Sequence, residues 1–265
     1  MISLKEIVVT FGKGTPLETL ALKSIDLDID KGEFVTVIGS NGAGKSTLLN
    51  ILSGEALADS GTLLIDNEDL TRRTTYSRAE LVARVFQDPL AGTCEQLTIE
   101  ENLALASARG RHRGLKQALN STLRSRFREQ LERLGLGLED RLSDQMGLLS
   151  GGQRQAVSLL MATLQPAKIL LLDEHTAALD PKTAAFVLEL SREIIEEQTL
   201  TTLMVTHSMR QALDVGFRTI MMHQGRIVFD VRGGEREGLD VPDLLALFEK
   251  RQGESLTDDS LLLSK

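Results

Sequence analysis

Gly39-Ser-Asn-Gly-Ala-Gly-Lys-Ser-Thr47 is the stretch on which the reading of this chain turns. Its glycines let backbone N–H groups crowd around phosphate oxygens with no Cβ in the way, and a helix N-terminus at Ser46 adds its dipole. The flanks suit that use. Residues 34–38 are a compact β-rich run that stops at Gly39, and residues 46–52 read as a helix closed by Gly54. The expected unit is strand, phosphate loop, helix. In it Lys45 reaches the β and γ phosphates of a nucleotide, Ser46 places its hydroxyl on Mg²⁺, and Thr47 bonds nearby phosphate oxygens.

Farther along, Ile169-Leu-Leu-Leu-Asp-Glu174 sets two carboxylates at the end of a buried apolar strand, where charge needs a reason. Asp173 can hold Mg²⁺ directly or through water, and Glu174 can polarise an attacking water as general base. Taken alone, the pair also fits a cap on the following helix. The amphipathic stretch 183–198 lies between this strand and a second β-rich run, 202–205, which is the pattern of a crossover between parallel strands.

Toward the N-terminus, 2–11 and 21–29 read as antiparallel edge strands separated by the turn-rich 12–16. From 97 to 164 the period becomes helical, with Leu119, Leu123, Phe127, Leu131 and Leu134 in step until Gly135 and Gly137. A hairpin is expected of 218–222 and 226–229. The pattern as a whole predicts an α/β fold: a mostly parallel core sheet, an antiparallel β edge subdomain and an inserted helical subdomain at about 90–165. A single domain spans 1–250, and 251–265 form a loose acidic tail.

Composition supports a globular domain, since 42% hydrophobic residues can build a sizeable core, although 3% aromatics leave that core to Leu, Ile, Val and Ala. A net charge of −8 argues against broad binding to a phosphate backbone, so nucleic acid is not an expected partner. Cys94 stands alone and is expected as a structural thiol. No signal peptide is legible, and the longest apolar stretches, 169–172 and 156–164, fall far short of the roughly 20 residues that cross a bilayer. Any membrane role passes through a partner.

Leu149-Ser-Gly-Gly-Gln153, together with the phosphate loop and Asp173-Glu174, resembles the nucleotide-binding subunit of ATP-binding cassette (ABC) transporters, over roughly 2–230. Gln87 after Phe86 resembles that family's Q-loop, Ala178-Leu179-Asp180 its D-loop, and His207 its switch histidine. The resemblance implies a P-loop NTPase core and ATP hydrolysis with ATP and Mg²⁺. Glu174, His207, Gln87 and Lys45 would then be catalytic, and Ser46, Gln87 and Asp173 would hold the metal. ATP would be contacted by Phe11, Gly39, Ser40, Asn41, Gly42, Ala43, Gly44, Lys45, Ser46 and Thr47.

Ser150, Gly151 and Gly152, followed by Gln153, are expected to make a second anion cradle at a helix start. By resemblance these residues and Asp180 face an ATP held by another subunit, so a homodimer or pseudo-dimer encloses two ATP. Also implied are a separate transmembrane permease, a substrate-binding protein in the same system, and a peripheral place on the cytoplasmic face of the cell membrane. The expected direction is import. Soluble relatives that act on DNA or ribosomes carry long coiled-coil insertions or two cassettes, and neither is seen here.

Some positions depart from the family pattern. His175 stands where Pro usually follows the catalytic Glu, and either tunes the base or is an incidental loop residue; the stretch 173–181 resembles a subset serving importers of amino acids, aromatic ones among them. Phe11 replaces the more frequent Tyr, and either stacks on adenine or packs under the edge sheet. Arg109, Arg111, Arg113, Lys116, Arg124, Arg126 and Arg128 make the helical lobe basic, as a solvated face or as a surface near anionic headgroups. Pro89, Leu90 and Leu97 are interface candidates for a permease.

Overall fold

The computed structural model describes residues 1–111 and 117–252, without the side chains of the last two. Arg113, Lys116 and the expected tail beyond 252 lie outside the described residues. The chain gathers into two compact units, one of residues 1–78 with the part from 200 onward, the other of 79–199.

The first unit opens with β1 (Ile2–Phe11), β2 (Thr19–Ile29), β3 (Phe34–Gly39), α1 (Lys45–Ser53), β4 (Ser60–Ile65), β5 (Glu68–Asp69) and α2 (Thr75–Arg78). The second holds β6 (Val82–Val85), α3 (Ile99–Ser107), α4 (Ser121–Glu132), α5 (Gly151–Thr163), β7 (Ile169–Asp173) and α6 (Pro181–Gln198). The first is then completed by β8 (Thr201–Val205), α7 (Met209–Asp214), β9 (Arg218–His223), β10 (Arg226–Arg232) and α8 (Val241–Gln252).

In the first unit β2-β1-β4-β5 form an antiparallel sheet. Along β1, Ile2, Leu4, Ile7 and Val9 are buried. Their alternation skips one position at a bulge between Leu4 and Ile7, where Glu6 takes φ 50° and the same face is restored beyond it. β3 lies between β8 and β9 and runs parallel to both, while β10 turns back antiparallel on β9 as the expected hairpin. β3 and β8 are buried from end to end, which suits strands covered on both faces. Arg78, fully buried, donates to the Ile51, Leu52 and Leu70 carbonyls and so closes the C-terminal end of α1.

Helix α8 was not read from the sequence. Its Leu244 and Phe248 complete a core with Ile38, Met209, Met221 and Phe229.

In the second unit β6 and β7 pair in parallel. Asn120 caps α4, so the helix begins just after Leu119, and of the periodic residues Phe127 and Leu131 are its buried ones. Gly135 and Gly137 both take positive φ where the helical pattern stops.

The basic residues of this unit serve its own architecture. Arg109 donates to the Ala162 and Gln165 carbonyls at 2.8 Å, Arg111 to Gln165 Oε1 at 2.9 Å, and Arg126 to the Leu164 carbonyl at 3.4 Å, which gathers cations at the C-terminal end of α5. Arg124 pairs with Glu100 at 2.7 Å. Arg111, Arg124 and Arg126 remain exposed while making these bonds, so they also form part of a solvated face.

Candidate functional site

The phosphate loop follows β3 and ends in a helix unlike its neighbours. Thr98, Asn120, Ser150, Asp180 and Ser208 cap α3, α4, α5, α6 and α7 with their side chains. Behind Gly44, among the described residues, no side chain caps α1, and its first turn has no acidic residue. A helix start that no side chain caps suits an anion, and phosphate is the natural partner. Ser46 is exposed there, beside half-buried Thr47.

Lys45 is buried, its ammonium donating to the Gly39 and Ser40 carbonyls at 2.8 and 3.1 Å. The loop thus ties its own cation to two of its carbonyls. Asn41 and Gly42 are exposed at the tip, whereas Ser40, Ala43 and Gly44 are buried.

His207 belongs to the same unit. The parallel register aligns Val37 with Val205, so Gly39, the last residue of β3, and His207, just past β8, each two residues on, stand at the same level. His207 is exposed, between Thr206 and Ser208; the Thr206 hydroxyl donates to Gln211 Oε1 at 2.6 Å and accepts from the Ser208 N–H at 3.1 Å. Phe11, at the end of β1, is 46% exposed, so its ring is open to solvent and not packed beneath the edge sheet.

In the second unit the register pairs Val85 with Leu172, which brings Gln87 and Glu174 to one level past the ends of β6 and β7. Gln87 is exposed, and Asp173 is buried at the last position of β7. Glu174 takes φ 45°, a left-handed conformation that costs a non-glycine residue about 1–3 kcal/mol and is retained where the surroundings enforce it. One such constraint is the Ala177 N–H, which donates to the Glu174 carbonyl at 2.9 Å.

His175 supplies another. It is buried, with Nε2 2.9 Å from Ser191 Oγ, and burial pushes its imidazole down to about 4, so it is neutral. Ser191 spends its hydrogen on the Val187 carbonyl at 2.7 Å, so Nε2 carries the ring hydrogen and donates it. His175 therefore fastens the loop after Glu174 to α6, and is not an incidental residue. Removing the acceptor with Ser191→Ala is expected to cost about 1–3 kcal/mol, read by urea unfolding. An unchanged midpoint would show that this bond carries no weight.

At the start of α5 the Ser150 side chain accepts from the Gln153 N–H at 3.3 Å, and the Gln153 amide oxygen accepts from the Ser150 N–H at 3.2 Å. These two signature side chains cap each other. Asp180 caps α6 by accepting from the Thr183 N–H at 3.2 Å, and hydrogen bonds from Thr183 hold its carboxyl below the usual range. Gly152 allows the two helix starts to meet: a Cβ there would lie 2.0 Å from Thr183 Cγ2. Gly152→Ala is expected to cost about 1–3 kcal/mol by overpacking, and Thr183→Ser, which deletes that methyl, should recover most of it in thermal melts. Failure of the double variant to recover would put the cost elsewhere.

Arg84 escaped the sequence reading. Its guanidinium pairs with Asp173 at 2.5 Å and lies over the Phe86 ring, 4.8 Å from the centroid. The available signal was a charge inside the apolar β run 82–85. Cys94, expected as a structural thiol, is exposed.

A glycine loop leading from a parallel strand into an uncapped helix in one unit, and a buried strand ending in two adjacent carboxylates in the other, are the marks of a nucleotide-hydrolysing P-loop protein. Residues 22–177 match the family described as ABC transporter, and the chain belongs to that family. It is an ATP-binding subunit and an ATPase. It is 45% identical to the tyrosine transport ATP-binding protein of Clostridioides difficile (strain R20291) over 249 residues, which are 94% of this chain and 99% of the relative.

Among solved structures, the dimeric post-hydrolysis state of an ATP-binding cassette bound to ADP and Pi superposes with a TM-score of 0.75 at 32% identity, covering 88% of this chain and 98% of that one. A component of the ABC transporter complex cbiONQ from Clostridium perfringens also reaches 0.75, at 25% identity, covering 95% of each chain. Among the described residues no helix is long and apolar enough to cross a membrane.

Proposed function

We propose that this chain is the ATPase motor of an importer whose membrane-spanning permease is a separate polypeptide, and that the imported solute is an amino acid. The observation that carries the reading is the uncapped start of α1 behind its glycine loop, a place prepared for the phosphates of ATP. The 45% identity to a tyrosine transport ATP-binding protein over 94% of the chain supports the solute class. A substrate-binding protein selects the solute and delivers it to the permease. The subunit sits on the cytoplasmic face of the membrane through the permease, which meets it around Pro89, exposed Leu90 and Leu97.

Residues 1–250 act as one cassette with a helical subdomain at about 90–165. Two such chains pair head to tail, so that ATP on the loop Gly39 to Thr47 of one copy meets Ser150, Gly151, Gly152, Gln153 and Asp180 of the other. Lys45 and Thr47 bind phosphate oxygens, Phe11 stacks on adenine, and Glu174 takes a proton from the attacking water. His207 holds the γ-phosphate, and Gln87 senses metal and water. The hydroxyl of Ser46, the amide of Gln87 and the carboxylate of Asp173 are hard oxygen donors that suit Mg²⁺, which when bound neutralises phosphate charge.

The test is affinity isolation of tagged Glu174→Gln chain from detergent-solubilised native membranes in Mg-ATP. A polytopic membrane protein in stoichiometric yield is expected, with an amino-acid-binding companion. Recovery of soluble, nucleic-acid-associated partners alone would sink the transporter reading.

A further inference from the structure

β6 carries a charge inside a buried run: Val82, Ala83 and Val85 are buried, and the Arg84 side chain is only 10% exposed. A guanidinium so placed requires a counter-charge close by, because burial strips its hydration. The parallel register puts Arg84 opposite Leu171, so its side chain reaches two residues on, to the Asp173 carboxylate, itself 13% exposed. The same guanidinium lies over the ring of Phe86, whose carbonyl accepts from Gln155 Nε2 at 3.1 Å. The carboxylate assigned above to the metal is thus already held by a cation rooted in the strand that leads to Gln87.

We infer that Arg84 is a positioning residue for Asp173: it keeps that carboxylate neutralised and aimed in the absence of nucleotide, and it competes with the divalent cation for it. The inference rests on the metal assignment of Asp173. A guanidinium and a divalent cation on one carboxylate repel each other, so Arg84 lowers the affinity of the site for metal alone. Metal loading then depends on the added negative charge of the nucleotide phosphates. The protein so built does not fill its metal position ahead of its substrate.

The experiment is a Mn²⁺ titration followed by electron paramagnetic resonance, on the full chain without nucleotide and with a non-hydrolysable ATP analogue. Arg84→Met keeps length and suits the apolar run. It is expected to tighten Mn²⁺ binding by about tenfold without nucleotide, the scale on which removal of one nearby positive charge acts at a half-shielded site. Arg84→Lys keeps the charge but loses the planar fork, and should tighten binding by a smaller factor. Thermal melts accompany both, and the lysine variant carries the test if the methionine variant does not fold.

Damage to a merely structural residue would weaken metal binding, so a gain is the diagnostic sign. Titrations of the folded Arg84 variants that match or fall below wild type, while Asp173→Asn weakens Mn²⁺ binding, would overturn the inference and leave the metal assignment standing. An unchanged titration in Asp173→Asn would remove the metal assignment itself, and the inference with it.

Discussion

Glu174→Gln is expected to lower ATP turnover by about 10²–10⁴-fold while ATP still binds. The amide matches the carboxylate in shape but cannot accept the proton of the attacking water. Backbone geometry gives a reason to expect a clean effect. Glu174 sits at φ 45° in a loop pinned behind it by the His175 bond to Ser191 and by the Ala177 N–H, so the substituted side chain starts from the same place. Binding groups on α1 are untouched. Single-turnover phosphate release would give the chemical step, and equilibrium binding of ATP the control. With ATP bound but not cleaved, the two-copy assembly should persist, so sedimentation of the variant in Mg-ATP should show twice the mass seen without nucleotide. Turnover at the wild-type rate would remove Glu174 from the role of base.

Much of this site was legible because its signals are local. The run 34–38 stops at a glycine, the loop is written in consecutive residues, and the helix after it closes at Gly54, which takes φ 82° as the observed C-cap. The crossover helix was expected at 183–198 and begins at Pro181, because Asp180 caps it and proline at the first position is pre-set for helical φ. Partnerships across strands and turns were not legible. Nothing in the order of residues says that Arg84 meets Asp173 89 positions away, since that pairing is set by the register of two parallel strands. His175 and Ser191 are 16 apart, but their meeting depends on how the loop after Glu174 folds back on α6. Helix α8 owes its order to Leu244 and Phe248 packing on Met209, Met221 and Phe229, a long-range contact that no window of sequence reveals.

Gly39→Ala is expected to be the most damaging single-methyl change in the phosphate loop, and Gly42→Ala a mild one. At Gly39, with φ 148°, an added Cβ would lie 2.1 Å from the Met222 carbonyl oxygen and 3.0 Å from its carbon. Both belong to the backbone of β9, which is register-paired with Gly39, so no rotamer change relieves the clash and the two strands must part. The Gly39 carbonyl that receives the Lys45 ammonium moves with them. Overpacking and backbone strain together are expected to cost about 3 kcal/mol or more. For a chain of this size that lowers the melting temperature by roughly 6–12 °C. At Gly42, φ is 74° but nothing lies within 4 Å of an added Cβ, so only the left-handed penalty of about 1–2 kcal/mol applies. Differential scanning calorimetry of the two variants, with ATP binding measured on each, separates crowding from conformation. Equal melting temperatures, with ATP affinity kept in Gly39→Ala, would mean that close approach to Met222 does not shape the loop.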